Sequence, residues 1–246
     1  MTKTFITQPQ IYAKFRPDYP AELFTRLADL CVEKNWAWDV GAGNGQAATD
    51  LANHFQSVIA TDLDLQQLQQ AKPHSQIYYC QSSAEQAPLL DHSMDLITVA
   101  QALHWFDFEN FFGEVKRVLK PTGIFAAWTY SRCQLKPELD KILSHFYQHI
   151  VGPYWPAQRH WVDEDYATIP LPFDRMTTQQ YRLEKHWSLP HFLGYIRSWS
   201  AVNHYQRQQG EDPVINLGKQ LSEFWSDAEQ PIHWVLTTKA GRKCKN

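Results

Sequence analysis

Asp39-Val40-Gly41-Ala42-Gly43-Asn44-Gly45 follows the apolar run that starts at Trp36 and precedes a helical pattern. The run Trp36–Val40 has the length of a strand and no regular polar alternation, the pattern of a strand buried on both faces of a parallel sheet. After the glycines, Ala47, Leu51 and Phe55 recur on one helical face, with Ala48 and Ala52 beside them. Gly41 and Gly43 let the backbone turn tightly and let a ligand approach the main chain with no side chain in the way. A strand, a glycine turn and a helix in this order form the first unit of an open α/β sheet, whose ligands bind at the carboxyl ends of the strands.

Further apolar runs of strand length lie at Val58–Thr61, Ile77–Cys80, Leu96–Ala100 and Ile124–Thr129, and all are expected to be buried on both faces. Helical patterns separate them. Phe111, Val115 and Val118-Leu119 share a face ahead of the breaker Pro121-Thr122-Gly123. Repeated strand–helix units predict a doubly wound, Rossmann-like α/β sheet. Beyond residue 130 the pattern changes to a helix over Leu139–Val151, a proline- and aromatic-rich stretch over Pro153–Pro172, a strand over Tyr181–Leu189 and a last strand over Ile232–Thr238. The expectation is one domain, 1–246, with a helical and aromatic cap on the substrate side within 131–230.

Composition narrows the function classes. The chain has 246 residues, 43% hydrophobic and 20% charged, enough for a large core and unlike a disordered chain. The net charge is -3, and no basic stripe of the kind that grips long nucleic acid is present; Arg242, Lys243 and Lys245 read as a solvated cluster. No stretch approaches the roughly 18 apolar residues of a membrane span, and Met1–Gln10 has no signal-type apolar run. Cys31, Cys80, Cys133 and Cys244 are scattered, with no metal spacing; Cys31 and Cys80 are expected to be core thiols in a reducing, cytoplasmic compartment. Arg159-His160 and His186 have no partners at useful spacing, so no metal is expected. Tyr154-Trp155, Trp161, Trp187 and Trp199 read either as core or as the wall of an aromatic-lined pocket for a small ligand.

The charge at Asp39 selects the ligand. Dinucleotide loops, G-x-G-x-x-G, hold a pyrophosphate at the helix N-terminus. Here the third glycine comes one residue early and Gln46 follows it. A carboxylate just before the first glycine repels a phosphate and attracts an ammonium. S-adenosylmethionine carries an ammonium and a sulfonium and no phosphate, so the pattern favours this methyl donor over NAD. Asp62 ends the second strand about twenty residues on, where an acid accepts hydrogen bonds from both ribose hydroxyls of either ligand. Each feature alone is commonplace; the ordered set on successive strand ends is not.

These residues carry a family resemblance. Asp39 to Gly45 resembles motif I of the class I methyltransferases, and Ala60-Thr61-Asp62-Leu63-Asp64 resembles the acidic loop after their second strand. Gln81-Ser82-Ser83-Ala84-Glu85 is similar to the loop after their third strand, and Arg117 to Gly123 to their passage into the fifth strand. Two stretches resemble a subgroup similar to trans-aconitate methyltransferases: Tyr12-Ala13-Lys14-Phe15-Arg16-Pro17-Asp18-Tyr19-Pro20, and Val99-Ala100-Gln101-Ala102-Leu103-His104-Trp105-Phe106-Asp107. Tyr195-Ile196-Arg197-Ser198-Trp199-Ser200 resembles its C-terminal half. The resemblance implies a seven-stranded sheet with the last strand antiparallel, and a donor site made by Tyr12, Arg16, Asp39, Gly41, Ala42, Gly43, Gly45, Asp62, Leu63, Ser83, Ala84, Glu85 and Gln101. Ser83 stands where many relatives carry an Asp to hold the adenine amino group, and a hydroxyl is the weaker acceptor.

Methyl transfer from a sulfonium needs donor and nucleophile held in line and water kept out, which explains why no triad or metal cluster is required. Arg16 pairs with the donor carboxylate or makes a structural ion pair. Tyr12 and Tyr19 shield the sulfonium or cap the core. Gln101, His104 and Trp105 follow the fourth strand, where substrate enters. His104 is a general base or a hydrogen-bonding wall, and the wall is favoured because a carboxylate needs no deprotonation at neutral pH. Arg197 binds an acidic substrate or is a solvated arginine on a cap helix. No cysteine follows the fourth strand and no Asn/Asp-Pro-Pro-Tyr is present, which excludes the methyltransferases of nucleobases that depend on them. The reading is methyl transfer from S-adenosyl-L-methionine to a small molecule, with a carboxylate as the acceptor implied by the resemblance. An NAD-linked oxidoreductase and a non-catalytic S-adenosylmethionine-binding regulator are the alternatives.

Overall fold

The computed structural model describes residues 15–225 and 229–243. In chain order the elements are α1 (Ala21–Leu30), β1 (Trp36–Val40), α2 (Gln46–Leu51), β2 (Ser57–Asp62), α3 (Leu65–Leu68), β3 (Ile77–Gln81), β4 (Met94–Ala100), α4 (Phe108–Val118), β5 (Leu119–Tyr130), α5 (Pro137–His145), α6 (Arg159–Asp163), β6 (Asp174–Trp187), α7 (Leu189–Arg197), α8 (Ser200–Gln209), α9 (Val214–Ser222) and β7 (Gln230–Arg242). The strands form one sheet in the order β3-β2-β1-β4-β5-β7-β6. β1 pairs in parallel with β2 and β4, β2 with β3 and β4 with β5, while β7 is antiparallel to β5. This is the Rossmann-like sheet expected from the sequence.

By its contacts the chain divides into two compact units, with boundaries inside β6 and β7. One holds Asp18–Ser131, Trp161–Tyr181 and the residues from Leu236 on; the other holds Arg132–His160, Arg182–Val235 and the described residues up to Pro17. In the first unit, Trp38, Val40, Ile97, Val99, Phe125 and Ala127 of the central strands are fully buried. Phe111, Val115 and Val118 of α4 pack into the same core, and burial of each contributes about 1.5–3 kcal/mol. Asp107 caps α4 by accepting the Asn110 N–H at 3.2 Å.

Four expectations change on contact with the structure. Pro121-Thr122-Gly123 lies within β5 and does not precede it. Met94 pairs with Leu119 and Leu96 with Ile124, so residues 120–123 bulge opposite Asp95 alone. The bulge lets Lys120 Nζ reach Asp95 Oδ1 at 2.7 Å, while Asp95 Oδ2 accepts the Asn35 and Trp36 N–H groups at 3.0 and 2.9 Å at the start of β1. Second, β3 is the sheet edge and is not buried on both faces: Tyr78 is 53% exposed and Cys80 is only partly covered. Cys31 is a core thiol, pushed up to about 12 by burial. Third, the helix read over Leu139–Val151 ends at His145 and continues as a π-helical turn over Phe146–Ile150, closed by Val151 N–H to Phe146 O at 3.0 Å. Fourth, the strand read over Tyr181–Leu189 runs over Asp174–Trp187, and Leu189-Pro190 opens α7 because proline suits the first turn of a helix.

No helix covers the connection 82–93 between β3 and β4. Side chains of α4 hold it instead. Arg117 donates to Ala87 O at 3.2 Å, Leu89 O at 2.8 Å and Asp91 Oδ1 at 2.6 Å, and pairs with Glu114 at 2.7 Å. Glu114 Oε1 accepts the Ala87 N–H at 2.7 Å. The Arg117 hydrogen bond holds the Glu114 carboxyl below its ordinary value.

In the second unit, Tyr147, Trp155, Trp199 and Tyr195 pack on one another with ring centroids 5.0–5.9 Å apart. Trp187 packs against Trp234 and Tyr195, and Trp234 donates to the Tyr195 hydroxyl at 3.0 Å. These rings fill one another's space, which is the core reading of the aromatic excess. Among the described residues no helix is long and apolar enough to cross a membrane.

Candidate active site

Asp39 sits at the end of β1 between two parallel neighbours, so it is fully buried. Its Oδ1 accepts the Thr98 hydroxyl of β4 at 3.0 Å, and its Oδ2 is buried with no hydrogen-bond partner. Burial pushes the carboxyl up to about 7, against the Thr98 hydrogen bond. An orphaned carboxylate oxygen at this depth is costly unless a ligand group satisfies it, and an ammonium suits it.

From Asp39 the chain turns through three left-handed glycines, Gly41 at φ 66°, Gly43 at 57° and Gly45 at 80°. Ala42 N–H donates to Thr61 O and Gly45 N–H to Ala42 O, each at 2.9 Å, and Gly45 then starts α2. A Cβ on Gly41 would meet Ala102 Cβ at 2.7 Å, and one on Gly45 would meet the Tyr79 hydroxyl at 2.5 Å. Asp62, at the end of β2, ties this turn: its Oδ2 accepts the Gly43 N–H and its Oδ1 the Asp64 N–H, both at 2.8 Å. Burial raises the Asp62 carboxyl above its ordinary value. Each oxygen keeps a second lone pair, the capacity that a ribose diol requires.

After β3, Ser83 Oγ donates to Glu85 Oε2 and accepts the Glu85 N–H at 3.1 Å, and Glu85 Oε1 accepts the Asp107 N–H at 3.2 Å. Ala84 is buried in the core. The Leu63 side chain is exposed, while its carbonyl accepts from Gln81 at 2.9 Å. After β4, Gln101 is a non-glycine residue at φ 57°. Its N–H donates to Trp128 O and its Oε1 accepts the Thr129 hydroxyl, both at 3.0 Å, and its Nε2 is buried without a partner. Strain of this kind persists only where the surroundings enforce it. His104 Nδ1 lies 2.9 Å from the Tyr166 hydroxyl, and the Trp105 ring lies 4.7 Å from the His104 ring.

The structure thus gathers Asp39, the glycine loop, Asp62, Leu63, Ser83–Glu85, Gln101, His104 and Trp105 on one compact unit. Arg16 and Arg197 belong to the other unit. There Arg16 stacks its guanidinium 5.4 Å from the Tyr195 ring centre, and Arg197 pairs with Asp212 at 2.8 Å. Tyr12 lies outside the described residues. Tyr19 packs edge-on against Trp128 with centroids 5.5 Å apart, a core contact. Among the described residues no group of His, Cys, Asp and Glu side chains could hold a metal ion.

Sequence reading missed two residues here, Tyr166 and Gln67. Gln67 of α3 is 2% exposed, both polar atoms of its carboxamide are unpartnered, and its Oε1 comes 3.8 Å from where a Gly43 Cβ would stand. The sole sequence signal is a polar residue on the buried face of a very short helix. Gln67→Met keeps the volume and removes two buried unsatisfied groups, each costing about 1–3 kcal/mol. The expected result is a melting temperature raised by about 2–4 °C for each kcal/mol recovered. A lower melting temperature, read by calorimetry, would mean that the carboxamide is already satisfied in the folded chain.

Known proteins match this architecture. Residues 38–127 match the family described as a methyltransferase domain. A Dictyostelium discoideum protein assigned as a methyltransferase is 32% identical over 241 residues, 93% of this chain and 92% of that one. A Saccharomyces cerevisiae protein assigned as an S-adenosylmethionine-dependent methyltransferase is 27% identical over 244 residues, 83% of this chain and 82% of its own. The solved structure of an Anaeromyxobacter dehalogenans protein assigned as a type II methyltransferase superposes with a TM-score of 0.84 at 35% identity, covering 93% of this chain and 98% of that one. With a relative this similar along nearly the whole chain, and with a glycine turn between two strand-end acids, the chain belongs to the class I S-adenosylmethionine-dependent methyltransferases.

Proposed function

We propose that the protein methylates a carboxylate oxygen of a small organic acid, giving a methyl ester, as the subgroup resembling trans-aconitate methyltransferases implies. The donor supplies a methyl group on a sulfonium whose thioether leaves readily. The observation that carries the donor half of this reading is Asp39 Oδ2, buried and unpartnered at the end of β1. In this reading Asp39 takes the donor ammonium, Asp62 the ribose hydroxyls, and the Gly41–Gly45 turn leaves room for the donor against the main chain. Leu63 and Ser83–Glu85 line the adenine, and Gln101, with its unpartnered Nε2, borders both donor and acceptor. His104 and Trp105 face the acceptor, and in-line displacement asks the protein to orient and desolvate the reactants. A reducing, cytoplasmic setting accords with free thiols at Cys31, Cys80 and Cys133.

The test has two steps. Calorimetric titration is expected to show binding of S-adenosylmethionine and S-adenosylhomocysteine and none of NAD. Asp62→Ala is expected to weaken donor binding roughly ten- to a hundredfold, the loss of one strong or two ordinary hydrogen bonds to a charged group at about 1.5–3 kcal/mol. Release of S-adenosylhomocysteine is then followed with a panel of small carboxylic acids, trans-aconitate included, beside phenols and amines. Turnover confined to amines or phenols would sink the carboxylate assignment while leaving the donor site in place.

A further inference from the structure

Tyr166 carries no motif, yet the backbone strains to place it. Asp165 (φ 51°) and Tyr166 (φ 58°) are consecutive non-glycine residues in the left-handed region, which costs roughly 1–2 kcal/mol for each. Such strain survives where the surroundings over-determine it and where the strained side chain has a task. The surroundings are visible. Tyr166 N–H donates to Trp161 O at 2.8 Å, and the ring is buried in the core with Val162, Ile169 and Phe173. On the other side of the loop after β4, the Thr129 hydroxyl of β5 fixes Gln101. The loop after β4 is therefore gripped at both ends, at Gln101 through Thr129 and at His104 through Tyr166, whose hydroxyl is 2.9 Å from Nδ1.

A phenol keeps its proton at neutral pH, and a neutral imidazole has one accepting and one donating nitrogen. A hydroxyl donated into Nδ1 leaves the ring proton on Nε2. We propose that Tyr166 is a positioning residue that fixes His104 as the Nε2–H tautomer, so that His104 offers the acceptor a hydrogen-bond donor and not a base. This rests on the reading that the loop after β4 serves the acceptor, and it narrows that reading. The acceptor oxygen is one already anionic at neutral pH, held by a charge-assisted bond from Nε2–H. A phenol or an amine, which must lose a proton on methylation, gets no base from this histidine.

The test is long-range 15N–1H correlation of the imidazoles in the full-length protein at neutral pH, with His104 identified by the resonances lost in His104→Gln. The expected spectrum shows Nδ1 unprotonated and Nε2 protonated, and Tyr166→Phe is expected to turn it into a mixture of tautomers. Tyr166→Phe is also expected to raise the KM for a carboxylic acid acceptor about tenfold while S-adenosylhomocysteine affinity holds. His104→Gln, which keeps a donor where Nε2–H stood, is expected to recover at least about tenfold of the turnover lost in His104→Ala. A proton on Nδ1 in the wild type, an unchanged tautomer in Tyr166→Phe, or no recovery by Gln over Ala would each overturn the proposal. Failure of carboxylic acids as acceptors would instead strike the proposed function, and the tautomer measurement would still decide the role of Tyr166.

Discussion

Gly41→Ala is expected to destabilise the protein by about 2–5 kcal/mol and to remove measurable donor binding. The backbone at φ 66° charges a side chain about 1–2 kcal/mol. The new methyl would stand 2.7 Å from Ala102 Cβ and 3.2 Å from the Phe106 ring, and overpacking of this kind costs about 1–3 kcal/mol more. Ala102 follows the strained Gln101, so pushing it aside moves both the donor turn and the loop that carries His104. The control is Gly43→Ala. Its methyl would meet only Gln67 Oε1 at 3.8 Å, so it carries the backbone cost alone. Thermal melting and calorimetric titration with S-adenosylhomocysteine separate the two variants. Equal losses in both would show that the contact with Ala102 is irrelevant and that the backbone sets the whole effect.

Asp39→Asn is expected to flatten the pH dependence of the donor-free protein's stability and to weaken donor binding about tenfold or more. Burial holds the Asp39 carboxyl at about 7, against its ordinary value of 3.8. Between those values the folded chain keeps a proton that the unfolded chain has lost. Stability therefore falls as pH rises through that window, by on the order of 4 kcal/mol at its upper end. Asparagine has no proton to lose, so its urea midpoints are expected to vary less between about pH 4 and 7. Donor binding runs the other way. The ammonium favours the ionised carboxylate, so wild-type affinity rises toward pH 7 and binding releases a proton, which calorimetry in buffers of different ionisation heat detects. A variant that keeps the wild-type pH slope would mean that Asp39 is already ionised in the empty fold.

The parallel half of the sheet was readable because its strands are short apolar runs with helical periods between them, and β1 matched residue for residue. What misled was local chemistry overridden by neighbours. Pro121 and Gly123 break a strand in isolation, but the bulge at 120–123 absorbs them and places Lys120 on Asp95. Ile77–Cys80 has the composition of a buried strand, but edge position follows from sheet order, which no local pattern contains. The glycine turn and the strand-end acids of the proposed donor site were legible because their requirements are local: glycines where φ is positive, and acids at strand ends. The NAD alternative fell with the relatives along the whole chain. Tyr166 was invisible because its partner lies 62 positions away and a tyrosine does not announce a left-handed turn. Gln67 was hidden because its meaning lies in what fails to bond to it.

The clamp of Arg117 and Glu114 on the connection 82–93 has a thermodynamic consequence. Ordering a residue's backbone costs about 1–2 kcal/mol, and a loop that settled only around its ligand would subtract that cost from affinity. Ser83–Glu85 open a connection that side chains of α4 already fix at Ala87, Leu89 and Asp91. The wall proposed for the adenine is thus ordered by the fold itself, and the entropy of shaping it belongs to folding. If the donor binds as proposed, recognition starts from a rigid surface, and donor affinity is expected to depend on the Arg117–Glu114 face of α4.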